Sequence, residues 1–119
     1  MKYTSRVIKG FGKGTVLGFP TFNLVIPQEF KFQPGTYAAL VFINQKKYLA
    51  ALHFGPIPVF NITKPTLEIH LINYLDLSKP HQLTFEIIKY LRPVKNFSSS
   101  KALTLQIAKD IKAVKQIAS

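Results

Sequence analysis

Apolar and polar positions change period along the chain. Between residues 36 and 90, short runs rich in Val, Ile, Leu, Phe and Tyr alternate with Pro, Gly and Asn, the pattern of several short strands. Residues 36–43 and 47–54 flank Asn44-Gln45-Lys46, a spacing that predicts a hairpin although the usual turn glycine is missing. Leu67-Glu68-Ile69-His70-Leu71 alternates strictly, which sets Leu67, Ile69 and Leu71 on one face and Glu68 with His70 on the other. Residues 83–87 alternate in the same way, and residues 3–9 supply a further candidate strand. Five or six antiparallel strands are expected, and closing them into a small barrel would remove exposed edges.

Past residue 100 the period lengthens. Leu103, Ile107, Ile111, Val114 and Ala118 recur at three- and four-residue spacing and line one face of a predicted helix. Ser98-Ser99-Ser100 offers N-caps, and Lys112 and Lys115 lie where cations favour the helix dipole. The apolar stripe needs a partner surface, and the barrel is the candidate within the chain.

Composition narrows the class. A chain of 119 residues with 47% hydrophobic positions predicts one folded domain over residues 1–119 rather than a disordered polycation. The absence of cysteine excludes disulfides, thiolate zinc sites and cysteine nucleophiles. The longest apolar run, residues 37–43, falls far short of the roughly 20 residues of a membrane helix, and no secretory core follows Met1. A cytoplasmic protein without a membrane partner is therefore expected. The 16 Lys and Arg against 5 Asp and Glu give a net charge of +11, which attracts polyanions. The charge is diffuse, however, and a merely solvated surface fits it equally well.

Residues 10–23 hold Gly10, Gly12, Gly14 and Gly18, four of the six glycines. Such a loop lets backbone N–H groups approach a phosphate, although a plain flexible connection has the same composition. The spacing is not that of a Walker loop, since Val7 stands at the first glycine position and Gly14 follows Lys13. Thr21 and Asn23 follow Pro20 and present hard oxygens to one side if the segment is extended, as Mg²⁺ with phosphates requires; completing a turn is the alternative. Glu68 lies between apolar neighbours that would desolvate it, raising its pKa toward the range of a general base, unless its face of the strand is simply wet. Three scattered histidines, His53, His70 and His81, define no triad or metal cluster.

These stretches together resemble riboflavin kinase of the bacterial and eukaryotic type. Leu17-Gly18-Phe19-Pro20-Thr21-Phe22-Asn23 differs from the family's Leu-Gly-Phe-Pro-Thr-Ala-Asn only at Phe22. Pro34-Gly35-Thr36-Tyr37-Ala38 matches a Pro-Gly-Val-Tyr-Ala strand start, and Glu68 to Leu71, followed by Asp76-Leu77, matches a Glu-x-His-Leu strand. Leu91-Arg92, Phe97, Gln106-Ile107 and Asp110 then follow in the family's order. The resemblance covers nearly the whole chain. It implies a six-stranded antiparallel Greek-key barrel with a C-terminal helix that transfers the γ-phosphate of ATP to the 5′-hydroxyl of riboflavin, giving FMN. It further implies Thr21 and Asn23 as Mg²⁺ and phosphate ligands, Gly12, Lys13, Gly14 and Thr15 as the nucleotide cover, Glu68 as general base, and His70 and Arg92 as substrate contacts.

The chain departs from the family pattern in places. Lys13 and Thr15 stand where arginines are usual, His53-Phe54-Gly55 replaces Asn-Ile-Gly, Val59 replaces a Thr, and Asn73 replaces an Asp. These changes motivate a rival reading, a flavin- or nucleotide-binding module with impaired catalysis. A basic nucleic-acid-binding barrel ranks below both, because most of the five Tyr and ten Phe of a small β protein belong to its core. A monomer is expected. The family's bacterial enzymes are commonly fused to an adenylyltransferase that makes FAD. This chain has no room for one, so a free-standing kinase and an excised domain both remain open, with FAD formation left to another domain or enzyme.

Overall fold

A computed structural model describes residues 1–9, 21–75 and 79–117. Six strands run in the order β1 (Lys2–Ile8), β2 (Thr21–Leu24), β3 (Gly35–Ile43), β4 (Lys46–Ile57), β5 (Ile62–Leu71) and β6 (Gln82–Arg92), followed by helix α1 (Ser100–Ile117). All pairings are antiparallel, and the sheet closes into a barrel of order β1-β2-β5-β4-β3-β6. Strands β3, β4 and β5 form a meander and β6 returns beside β3, which is the Greek-key arrangement.

Side-chain alternation sorts the two faces of the barrel. Tyr37, Leu52, Leu67 and Ile69 point inward and join Tyr3, Phe30 and Phe85 in a core where aromatic rings meet at 4.9–6.2 Å. These aromatics are therefore unavailable as an exposed platform for stacking bases. The hairpin between β3 and β4 turns on two residues, with Ile43 facing Lys46. Asn44 and Gln45 supply the left-handed backbone, at φ 49° and 68°, that the twist of two flanking strands demands and that glycine usually provides. Strand β4 continues past residue 54 to Ile57, with a register slip between Gly55 and Ile57. Pro56 falls in that slip, where its missing N–H costs no ladder bond.

The Ser99 hydroxyl accepts the N–H of Ala102 at 3.1 Å, so Ser99 is the N-cap of α1. The helix lays Ile107, Asp110 and Val114 against the outside of the barrel. Ala38 and Ala51, paired across β3 and β4, are small enough to seat the helix closely, and Val114 packs on them fully buried. Ala118, the last residue of the expected stripe, lies outside the described residues, as do Asp76 and Leu77. None of the helices among the described residues is long and apolar enough to cross a membrane.

Candidate active site

Strand register assembles one row of side chains on the outer face of the barrel. Arg92 of β6 faces Thr36 of β3, Thr36 faces His53 of β4, His53 faces Glu68 of β5, and Glu68 faces Asn23 of β2. Directly opposed residues share a face, so five strands contribute to a single line. Two residues along each strand, Ala51, His70 and Thr21 form the neighbouring row.

Glu68, Thr36, His53, His70 and Arg92 line a cleft between the barrel and α1. Its remaining walls are largely apolar, from Ile57, Val59, Phe60, Phe97, Leu103 and Ile107. The lining suits a mostly apolar small molecule held by a few polar groups. The face of β5 opposite the core is thus not wet: Glu68 and His70 are each only 7% exposed.

Burial sets the chemistry of this row. It pushes the Glu68 carboxyl above its usual range, against a smaller opposing effect from the Thr66 hydroxyl 3.4 Å away. The Thr66 proton is shared with the Gly55 carbonyl at 3.1 Å, which weakens that opposition. His70 is pushed down to about 4, first by burial and then by His53, so it is a neutral imidazole at pH 7. Its Nδ1 lies 2.9 Å from the Thr21 hydroxyl. His53 is likewise lowered by burial, and its Nε2 lies 3.0 Å from the Pro56 carbonyl and 3.2 Å from the Gly55 carbonyl. Carbonyls only accept, so Nε2 carries the proton.

Arg92 is committed within the chain. Its Nε and Nη2 donate to the two oxygens of Asp110 at 2.9 and 2.8 Å, and Nη1 donates to the Pro93 carbonyl at 3.1 Å. Gln106 Nε2 also donates to Asp110 Oδ1 at 3.0 Å. The guanidinium lies 5.9 Å from the Phe97 ring centre. This network ties the end of β6 to the buried face of α1 and closes one end of the cleft.

Of the residues expected from sequence, Thr21, Asn23, Glu68 and His70 come together on adjacent strands, and Arg92 lies three strands from Glu68 along the row, with β4 and β3 between them. Gly12, Lys13, Gly14 and Thr15 lie outside the described residues. Thr21 and Asn23 provide a hard-oxygen donor set that fits Mg²⁺, an ion that takes one or two protein oxygens alongside phosphates. Sequence reasoning assigned no site role to His53, Thr36 or Asp110. Asp110 carried a readable signal, a carboxylate on the apolar stripe between Ile107 and Val114. His53 and Thr36 carried none apart from register.

The sequence model described as "Flavokinase: Riboflavin kinase" matches residues 1–118. A bifunctional riboflavin kinase/FMN adenylyltransferase of Buchnera aphidicola is 32% identical over 117 residues, 95% of this chain and 37% of that protein. The RNA-binding riboflavin kinase RibR of Bacillus subtilis is 34% identical over 110 residues, 91% of this chain and 47% of that one. The chain thus spans between about a third and a half of the length of these relatives. A crystal structure of a macrolide-efflux protein from Streptococcus pneumoniae superposes with a TM-score of 0.82 at 22% identity, covering 96% of this chain and 38% of that one, a likeness of fold. By the extent of the sequence match and the barrel it encodes, the chain belongs to the riboflavin kinase family.

Proposed function

We propose that this chain transfers the γ-phosphoryl group of ATP to the 5′-hydroxyl of riboflavin, giving FMN and ADP. The observation that carries the reading is the register of β2 against β5, which sets Glu68 opposite Asn23 with His70 opposite Thr21. A base and an oxygen donor set for a metal-bound phosphate thereby share one face of two neighbouring strands. Phosphoryl transfer asks little more of a protein than positioning, charge neutralisation and one group to take the acceptor's proton.

In this mechanism the apolar cleft holds the flavin with its ribityl tail toward Glu68. The Glu68 carboxylate accepts the 5′-hydroxyl proton as the new bond from that oxygen to the γ-phosphorus forms and the bond from phosphorus to the bridging oxygen breaks, releasing ADP. Burial keeps the carboxylate poorly solvated and hence more basic than an exposed one. Thr21 and Asn23 would hold Mg²⁺, which supplies charge neutralisation on the phosphates when bound. The neutral His70 ring hydrogen-bonds the Thr21 hydroxyl through Nδ1 and so orients it.

Several relatives pair riboflavin kinase with FMN adenylyltransferase in one protein. The FMN made here is accordingly proposed to pass to an adenylyltransferase, either joined to this domain or separate. Incubation with riboflavin and MgATP, followed by chromatography, tests the central claim. FMN is expected. Riboflavin fluorescence quenching without FMN would instead favour a binding module that does no chemistry.

A further inference from the structure

The Thr36 hydroxyl is buried, at 3% residue exposure, and its Oγ1 has no hydrogen-bond partner among the described residues. Buried hydroxyls are rarely left so, because an unmade bond forfeits their hydration. The two neighbours of Thr36 in the row are bonded elsewhere. On one side, all three nitrogens of the Arg92 guanidinium are engaged by Asp110 and Pro93. On the other, the His53 Nε2 proton is taken by the carbonyls of Gly55 and Pro56. The hydrogen bonds made by both cross-strand neighbours of Thr36 thus go to other partners, and Thr36 itself lines the cleft.

We infer that Thr36 Oγ1 is a specificity contact for the occupant of the cleft, hydrogen-bonding a polar atom on the ring system of the flavin. The inference rests on the riboflavin kinase reading. Its location follows from strand spacing. Thr36 and Glu68 are separated by one intervening strand, so their backbones lie roughly 10 Å apart. A five-carbon tail with bonds of about 1.5 Å spans only roughly 6 Å, so with its terminal hydroxyl at Glu68 the tail ends before Thr36. The heterocycle reaches that position, and its edge carries carbonyl oxygens and ring nitrogens able to accept from or donate to a hydroxyl. An apolar side chain at position 36 would accept the same ring but would not discriminate among ring edges.

The test is equilibrium binding read by flavin fluorescence, without nucleotide. Thr36→Val and Thr36→Ala, two variants without the hydroxyl, are expected to bind riboflavin roughly five- to tenfold more weakly than the parent, the loss of one neutral hydrogen bond. Thr36→Ser is expected to stay within twofold. The same loss is expected with lumiflavin, which has the ring but no ribityl tail, and the urea midpoint of unliganded Thr36→Val should not fall. Parent-like riboflavin affinity in both hydroxyl-free variants overturns the inference, as it would if a water alone served the hydroxyl. A loss seen with riboflavin but absent with lumiflavin overturns it too. In each of those cases the kinase reading stands, whereas a parent protein that binds no flavin removes both.

Discussion

Arg92 and Asp110 form a two-toothed ion pair between the last residue of the barrel and the buried face of α1, at 2.9 and 2.8 Å, with Arg92 and Asp110 side chains 15% and 6% exposed. Both oxygens of the carboxylate are occupied, and Gln106 adds a third donor. Because the pair is desolvated, removing one partner leaves the other charge without compensation.

Asp110→Ala is therefore expected to destabilise the protein by about 3 kcal/mol, measured as a drop in urea midpoint at unchanged slope. Arg92→Lys alone should also lower stability, since an ammonium cannot span both oxygens of Asp110. A loss below about 1 kcal/mol for Asp110→Ala would mean that the helix is held by its apolar contacts alone.

Glu68→Gln is expected to lower kcat at least 100-fold while changing riboflavin affinity little, the signature of a lost general base. In the parent enzyme the acid limb of the rate profile should lie above the usual carboxylate range, because burial raises the Glu68 pKa and the base works only when ionised. That limb should vanish in the variant's residual activity. A parent-like rate in Glu68→Gln would assign the proton elsewhere.

His70 gives stability its own pH dependence. Its folded pKa of about 4 lies below the unfolded value of 6.5, so the unfolded chain binds more protons between those limits and stability rises with pH across that window. The folded state should gain roughly 3 kcal/mol from pH 4 to 6.5 through this group. Urea midpoints taken across the window should show a shallower slope in His70→Gln. An unchanged slope would place the buried proton deficit on another residue.

The β3–β4 turn and the C-terminal helix show how far the sequence could be read. Strict alternation in residues 67–71 and the three-four spacing after residue 100 were sufficient for strand and helix, because each pattern buries one face and leaves few alternatives. The turn was legible in position but not in form, since Asn44 and Gln45 adopt left-handed backbone without a glycine to announce it. Glu68 and His70 were singled out by chemistry, yet alternation alone could not tell a wet face from one covered by α1. The row from Arg92 to Asn23 depends on how five strands register, and register between distant segments leaves no local trace in composition.

Gln45→Gly should raise stability by about 1 kcal/mol, since a side chain at φ 68° carries a steric cost that glycine lacks. Thermal or urea unfolding checks this directly, and a decrease would mean that Gln45 makes a compensating contact.

Gly35→Ala should be costly for a different reason. A Cβ there would lie 2.6 Å from the Arg92 carbonyl and 2.7 Å from Tyr90 Cε1, so β3 and β6 would have to separate at the end of the barrel that carries Arg92. A loss of about 1–3 kcal/mol in urea unfolding is expected. A neutral result would show that this end of the sheet yields.

The ladder that closes the barrel joins its first strand to its last, and the Thr4 and Thr84 hydroxyls meet across it at 2.9 Å although 80 residues apart. During synthesis, β1 leaves the ribosome on the order of ten seconds before β6 can pair with it. For that interval the nascent chain carries an open β edge, the stage at which intermolecular strand pairing and chaperone capture compete with folding.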